Sequence, residues 1–230
     1  MSPISSPKGI FVTGTDTNVG KTLIACALLH AWRNAGKTVL GMKPVAAGCE
    51  LQPEGLACAD VAALRRASSA QAPAEWVNPY AFAPAVAPHA AAEEAGVSID
   101  LERIREAFVA LAGCAEMVVV EGAGGFRVPL NPRQDSADLA RLLGLPVVLV
   151  VGMRLGCLNH ALLTADAIRA QGLPLAGWVA NRIDPGMACF ESNLGALRQR
   201  LEAPLLGVVE YAAAPDPAVA AQCLILPRVD

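Results

Sequence analysis

Short runs of consecutive apolar residues recur along the chain and alternate with longer stretches of helical periodicity. The runs are Gly9 to Gly14, Thr38 to Lys43, Met117 to Glu121, Pro146 to Gly152, Leu175 to Asn181 and Leu205 to Val209. In Met117-Val118-Val119-Val120 and Val147-Val148-Leu149-Val150-Val151 the apolar positions are unbroken instead of alternating. A strand needs that only when both of its faces are covered, so these runs predict a buried, mainly parallel sheet. Between them, Lys21 to Asn34, Leu101 to Ala112, Ser136 to Leu143, Leu158 to Ala170 and Met187 to Leu201 carry helical spacing, and Gly36, Gly144 and Gly172 stand where such helices stop. The alternation predicts a three-layer α/β/α architecture.

The stretch 49–96 breaks this pattern, because Pro53, Pro73, Pro79, Pro84 and Pro88 interrupt any long element. One short helix, Ala59 to Ala67, is predicted there, followed by loop. The stretch follows the second strand, at the edge of the sheet where α/β proteins bind ligands, which places it over the active site.

With 230 residues, the chain fits one domain spanning 1–230. Apolar residues make up 54% of it and aromatics only 4%, so the core is built from small side chains. The net charge of -3 comes without a basic run, which argues against a nucleic-acid partner. Seven cysteines, an odd number with no C-x-x-C pair, suggest neither a disulfide framework nor a zinc site, and buried thiols in a reducing compartment are expected. Met1 to Lys8 lacks an apolar run of signal length and no later run is long enough to span a membrane, so a soluble, cytoplasmic protein with no membrane partner is expected.

The chemistry begins at Gly14-Thr15-Asp16-Thr17-Asn18-Val19-Gly20-Lys21-Thr22, which follows a predicted strand and opens a predicted helix. That context suits a phosphate loop: backbone N–H groups at the helix start face the anion, Lys21 neutralises the β- and γ-phosphates, and the Thr22 hydroxyl ligates magnesium. Gly14 comes one position earlier than the strict pattern asks, with Thr15 in its place. The fold class is therefore P-loop NTPase-like. Glu121 ends a buried strand and leads into Gly122-Ala123-Gly124-Gly125, where an acid would point into the ligand crevice; a solvated charge at a strand end is the plainer alternative. Asp60 stands just before a helix, and both an N-cap and a metal ligand fit it. Lys43 ends the second strand before Pro44, either as a surface lysine or as a second cation beside transferred phosphate. His89 and His160 form no metal-ligand or triad pattern.

Taken together, the phosphate loop with its extra residue, Lys43-Pro44-Val45-Ala46, Glu121-Gly122-Ala123-Gly124-Gly125 and Gly156-Cys157-Leu158-Asn159-His160 resemble the dethiobiotin synthetase family. Pro53-Glu54-Gly55, Asn78-Pro79-Tyr80, Pro88-His89 and Leu175 to Asn181 extend the likeness over the chain up to its last twenty residues. The resemblance implies an enzyme that joins carbon dioxide to 7,8-diaminopelargonate with ATP, giving dethiobiotin, ADP and phosphate through a carbamate and a mixed carbamic-phosphoric anhydride.

By the same resemblance, Thr22, Asp60 and Glu121 would hold Mg2+. Lys21 and Lys43 would be catalytic. Asn18, Val19, Gly20, Lys21, Thr22, Leu23, Asp60, Glu121, Gly122, Ala123, Gly124 and Asn181 would contact ATP, with Asn181 reading the base. Thr17, Lys43, Gly156, Cys157 and Asn159 would contact substrate, the last three from the partner chain of a homodimer whose substrate lies at the subunit interface. A helix start suits the substrate's carboxylate, although Gly156 to Asn159 also reads as an ordinary helix N-terminus. Asn18, Ala47, Arg182 and Glu210 depart from the family pattern, which commonly has Glu, Ser and Asp at the first three and Pro at the last. These departures bear on substrate hydrogen bonding and on the choice of base.

Two rival readings share this kind of sheet. A partition-type nucleotide switch carries a signature lysine early in its loop, where this chain has Asp16, and an amide-forming ligase of the cobyrinate type adds a glutamine-hydrolysing domain for which 230 residues leave no room. A family member that binds nucleotide without turnover is a third, against which Lys21, Thr22, Lys43, Asp60 and Glu121 stand intact.

Overall fold

A computed structural model describes residues 9–53 and 55–229. The segment Met1 to Lys8, Glu54 of the Pro53-Glu54-Gly55 match and Asp230 lie outside the described residues. In chain order the elements are β1 (Gly9–Gly14), α1 (Lys21–Asn34), β2 (Val39–Met42), β3 (Val45–Ala47), β4 (Glu50–Gln52), β5 (Gly55–Ala57), α2 (Ala59–Ala67), α3 (Ala74–Val77), β6 (Tyr80–Phe82), α4 (Pro88–Glu94) and α5 (Leu101–Cys114). They continue with β7 (Met117–Glu121), α6 (Ser136–Leu143), β8 (Val147–Gly152), α7 (Cys157–Ala170), β9 (Leu175–Asn181), α8 (Phe190–Arg200), β10 (Leu205–Val209) and α9 (Pro217–Gln222).

Six strands form one parallel sheet in the order β10-β9-β8-β1-β7-β2. Every residue of β1 and β8 is buried, as their unbroken apolar runs require. The period of two along each strand divides the core. Ile10, Val12, Val119, Val148, Val150 and Val179 face the layer that holds α1, α2 and α9, packing on Ile24, Leu28 and Leu64. Phe11, Val118, Val120 and Val147 face α5 and α6 on the other side, where Ile104 and Leu139 meet them, while Leu149, Val151 and Trp178 pack under α7 and α8. Burying a side chain the size of Leu28 contributes about 1.5–3 kcal/mol, so the sheet is held from both faces.

Helix starts and stops follow their local chemistry. Asp135 opens α6 in a reciprocal capping box with Asp138, Asp100 caps α5 through the N–H of Glu102, and Gly144 closes α6 in the left-handed region. The six strands of the main sheet and α1, α2, α5, α6, α7 and α8 stand within a few residues of the expected spans.

Two expectations are corrected. The stretch 49–96 is not one helix and a loop: besides α2 it holds the antiparallel hairpin β4–β5, α3, β6 paired with β3, and α4. Two of its prolines serve as starts instead of breaks, Pro73 at the N-cap of α3 and Pro88 in the first turn of α4, where a missing N–H costs nothing. The cysteines are not all thiols, since Cys49 and Cys58 form a disulfide that closes the base of the β4–β5 hairpin with their Cα atoms 4.4 Å apart. Two residues nine apart in sequence are brought face to face by the turn between them, which spacing alone does not reveal. Of the five free cysteines, Cys26 and Cys157 are buried and Cys114, Cys189 and Cys223 are exposed.

No described helix is long and apolar enough to cross a membrane.

Candidate active site

The crevice opens where β1 ends between β7 and β8, the point at which the chain's crossovers part to the two sides of the sheet. From β1 the chain turns through residues 15–20 into α1. Asn18 takes a left-handed backbone with φ 61°, a conformation that Asn accepts more readily than most side chains. Gly20 also lies in the left-handed region, φ 88°, and a Cβ there would collide with the Asn181 amide. No side chain caps α1, and its first backbone bond runs from Ile24 N–H to the Gly20 carbonyl. The N–H groups of Lys21, Thr22 and Leu23 therefore open toward the crevice, the arrangement that receives an anion.

Lys21 is buried, and its ammonium donates to the Asp16 carbonyl at 2.9 Å. Burial, with the nearby Lys43 charge adding to it, pushes the Lys21 pKa down to about 8 against the opposing pull of Glu121, Asp60 and Asp16.

Four polar side chains, Thr22, Lys43, Asp60 and Glu121, converge beside it. Lys43, at the end of β2, lies 2.6 Å from Glu121 Oε1 and 2.9 Å from Asp60 Oδ2. The Thr22 hydroxyl donates to the same Glu121 oxygen at 2.8 Å. Burial alone would lower the Lys43 pKa, but the two carboxylates outweigh it and raise it, so the ammonium stays charged. Burial would likewise raise Asp60, which is half-exposed, yet Lys43, Thr22 and Lys21 bring it below the usual carboxylate range. Asp60 stands in the first turn of α2, where the N-cap is Cys58 and makes no side-chain cap bond; the N-cap reading of Asp60 is thereby corrected. Glu121 is not a solvated strand-end charge and Lys43 is not a surface lysine, since both are buried.

With Glu121 Oε1 engaged by Lys43 and Thr22, its other oxygen is buried without a hydrogen-bond partner among the described residues. An unpaired carboxylate oxygen next to a hydroxyl and a second carboxylate is a hard, all-oxygen donor set of the kind Mg2+ takes alongside water and phosphate. The residues thus fit the cation.

The turn after β7 runs alongside the phosphate loop. Gly122 N–H bonds to Val12 O at 3.0 Å, Gly124 adopts φ 62° with its missing Cβ facing the Thr17 hydroxyl, and a Cβ on Gly125 would come within 3.7 Å of the Gly14 carbonyl. Asn181, buried at the end of β9, donates to the Val19 carbonyl at 2.9 Å and so lies beneath the loop.

Sequence reasoning assigned no role to Asn78. Its amide donates to the Lys43 carbonyl at 2.6 Å and to Tyr80 O at 2.9 Å, while Lys43 N–H bonds to Val77 O at 2.8 Å. The end of α3 thereby clamps the backbone on either side of Lys43, and the only signal of it in the sequence was the Asn-Pro-Tyr match. The departures Arg182 and Glu210 answer each other, paired at 3.0 Å with the guanidinium stacked over Phe190. Ala47 ends β3 with its side chain exposed.

Gly156, Cys157 and Asn159 begin α7 with Gly156 as a left-handed N-cap, φ 95°. Within one chain no hydrogen bond or ion pair joins them to Lys43, Asp60 or Glu121, and the side-chain link between this turn and the phosphate loop is an ion pair of Arg154 with Asp16. Leu155 beside them is 95% exposed, and Leu163 further along α7 is exposed as well.

Residues 8–218 match the model of a family described as an AAA domain. The chain is 58% identical to the ATP-dependent dethiobiotin synthetase BioD of Aromatoleum aromaticum, over 97% of this chain and 100% of that protein. It is 61% identical to the protein of the same name from Nitrosospira multiformis, over 89% and 88% of the two chains. Among solved structures it resembles the septum site-determining protein MinD complexed with Mg-ADP from Pyrococcus horikoshii, with a TM-score of 0.55, 16% identity, and 95% and 87% of the chains covered. MinD of Aquifex aeolicus gives a TM-score of 0.53 at 15% identity over 93% and 84%. At such identity the likeness to MinD concerns the fold.

Proposed function

The chain belongs to the dethiobiotin synthetase family, and from that premise we propose how its residues carry an ATP-dependent ring closure of 7,8-diaminopelargonate with carbon dioxide. One substrate amine adds to carbon dioxide and loses a proton, forming a carbamate. A carbamate oxygen attacks the γ-phosphorus and ADP departs, which turns a poor leaving oxygen into a good one. The second amine then attacks the carbonyl carbon, phosphate leaves, and the cyclic urea closes.

The observation that carries this reading is the convergence of Lys21, Thr22, Lys43, Asp60 and Glu121 at the ends of β1, β2 and β7. Lys21 and the N–H groups of residues 18–23 hold the triphosphate, with the turn Gly122-Ala123-Gly124 along its side and Asn181 toward the base. Lys43 is a fixed positive charge, clamped by Asn78, that stabilises the carbamate and the negative charge spreading over the transferring phosphoryl group. Thr22, Asp60 and the free Glu121 oxygen would hold Mg2+, which would supply charge neutralisation of the phosphates. Thr17 faces the diamine.

The protein works as a single-domain homodimer in the cytoplasm. The bare Leu155 and Leu163 on α7 support an interface at that helix, which delivers Gly156, Cys157 and Asn159 to the partner's substrate carboxylate.

The test is ADP release by the purified protein with Mg-ATP and bicarbonate, with and without 7,8-diaminopelargonate, alongside product mass. Release that needs the diamine and yields the cyclic urea is expected; release indifferent to the diamine would overturn the reading.

A further inference from the structure

Asp16 uses three of its atoms on three different parts of the site. Oδ1 accepts the Thr17 N–H at 2.7 Å, the backbone carbonyl accepts the Lys21 ammonium at 2.9 Å, and Oδ2 accepts an Arg154 guanidinium N–H at 2.5 Å. Arg154 in turn faces two ways. Its side chain reaches the phosphate loop, and its carbonyl accepts the Cys157 N–H at 3.0 Å, which shapes the first turn of α7. Below the ion pair the same two segments touch again, because Gly152 is packed so closely on Val19 that a Cβ would come within 2.7 Å of it. Met153 N–H bonds to Asn181 O, and Asn181 bonds to Val19 O, closing the circuit.

We propose that Asp16 and Arg154 are positioning residues that lock the phosphate loop to the start of α7, so that the loop holding one chain's nucleotide fixes the turn presented to the substrate carboxylate. This rests on the assignment of Thr17 and of the α7 N-terminus to substrate made above. The charge signs are needed for it. A lysine at position 16, the residue that the partition-type switch carries there, would meet Arg154 as a like charge and open the joint. In the dimer the joint links each nucleotide site to its partner's substrate site, since α7 serves the neighbouring chain.

The experiment measures steady-state kinetics and nucleotide binding for the full chain carrying Asp16→Asn, Arg154→Gln, both together, or Arg154→Lys. Asn at position 16 keeps an acceptor for the Thr17 N–H and puts an amide NH2 where Oδ2 met Arg154, so it breaks the ion pair and leaves the loop's own turn in place. Both side chains are 44% exposed, so the expected effect is modest. Each single change raises the diamine KM roughly three- to fivefold, as for a part-solvated pair. Nucleotide affinity and kcat stay within about twofold. The double variant is no worse than either single one, and Arg154→Lys recovers most of the loss. The wild-type KM also climbs toward the variant value as salt screens the pair.

Additive losses in the double variant would mean that Asp16 and Arg154 act independently and would overturn the proposal, as would an unchanged diamine KM or an equal loss of nucleotide affinity. A wild-type protein that ignores the diamine would be a different failure, of the substrate assignment, and the proposal would fall with it.

Discussion

The Lys43 ammonium and the Glu121 carboxylate meet at 2.6 Å with their side chains only 6% and 1% exposed, the most deeply buried ion pair among the described residues. Desolvating two charges is costly, and proteins recover little net stability from such pairs. Their presence at the ends of two adjacent strands, where an apolar pair would pack as well, marks a position kept for chemistry.

Lys43→Ala should therefore act on both stability and turnover. It leaves Glu121 buried without its countercharge, and urea denaturation should show a loss of about 3–5 kcal/mol. The kcat should fall about 100-fold or more, with nucleotide affinity changed little, because the lysine's partner charge develops in the transition state. Lys43→Met with Glu121→Leu should regain much of the stability and none of the activity. A loss confined to substrate KM would refute the role given to Lys43.

Nucleotide affinity should decline above pH 8. Free Lys21, pushed down to about 8 by burial and by Lys43, is an ammonium below that pH and a neutral amine above it. A triphosphate favours the charged form, so the complex has the higher pKa and binding takes up a proton in the window above about 8. Affinity there falls by up to about tenfold per pH unit. Calorimetry in buffers of different ionisation enthalpy should register the proton uptake, and Lys21→Arg, always charged, should lose this pH dependence. An affinity flat from pH 7 to 10 would contradict the shift.

Gly20→Ala and Gly36→Ala separate backbone strain from collision. Both glycines have positive φ, 88° and 80°, and a left-handed backbone costs an alanine about 1–2 kcal/mol. Around Gly36 the space is open, whereas at Gly20 the new methyl meets the Asn181 amide and breaks its bond to Val19. Gly36→Ala should lower the melting temperature and leave nucleotide binding intact. Gly20→Ala should add about 1 kcal/mol or more to that loss and weaken nucleotide binding as well.

What could be read from the sequence follows from where each signal is local. Val147 to Val151 declares a strand covered on both faces, and Gly20-Lys21-Thr22 after an apolar run declares a helix start that faces an anion. The order β10-β9-β8-β1-β7-β2 and the buried meeting of Lys43, Asp60 and Glu121 are long-range facts. Nothing near Asp60 distinguishes a cap from a ligand; only the family likeness did. Asp16 and Arg154, 138 positions apart, carry no signal of their pairing. In 49–96 the prolines misled because Pro at a first helical turn and Pro within a loop look alike in sequence.

The Cys49–Cys58 bridge is the point on which odd cysteine count and structure disagree most sharply, and it can be counted directly. Denatured without reductant, the protein should titrate five thiols, and after reduction seven. The bridge closes the short loop that carries the β4–β5 hairpin, for which chain entropy gives about 2–3 kcal/mol. That stabilisation falls on one edge of the fold. Cys58 is the N-cap of α2 and Asp60 stands in its first turn, so reduction should speed amide exchange in β4, β5 and the start of α2 while β1 and β8 keep their protection. Seven thiols without reductant would mean that the two sulfurs only touch, and the hairpin would then have to be held by its strand bonds alone.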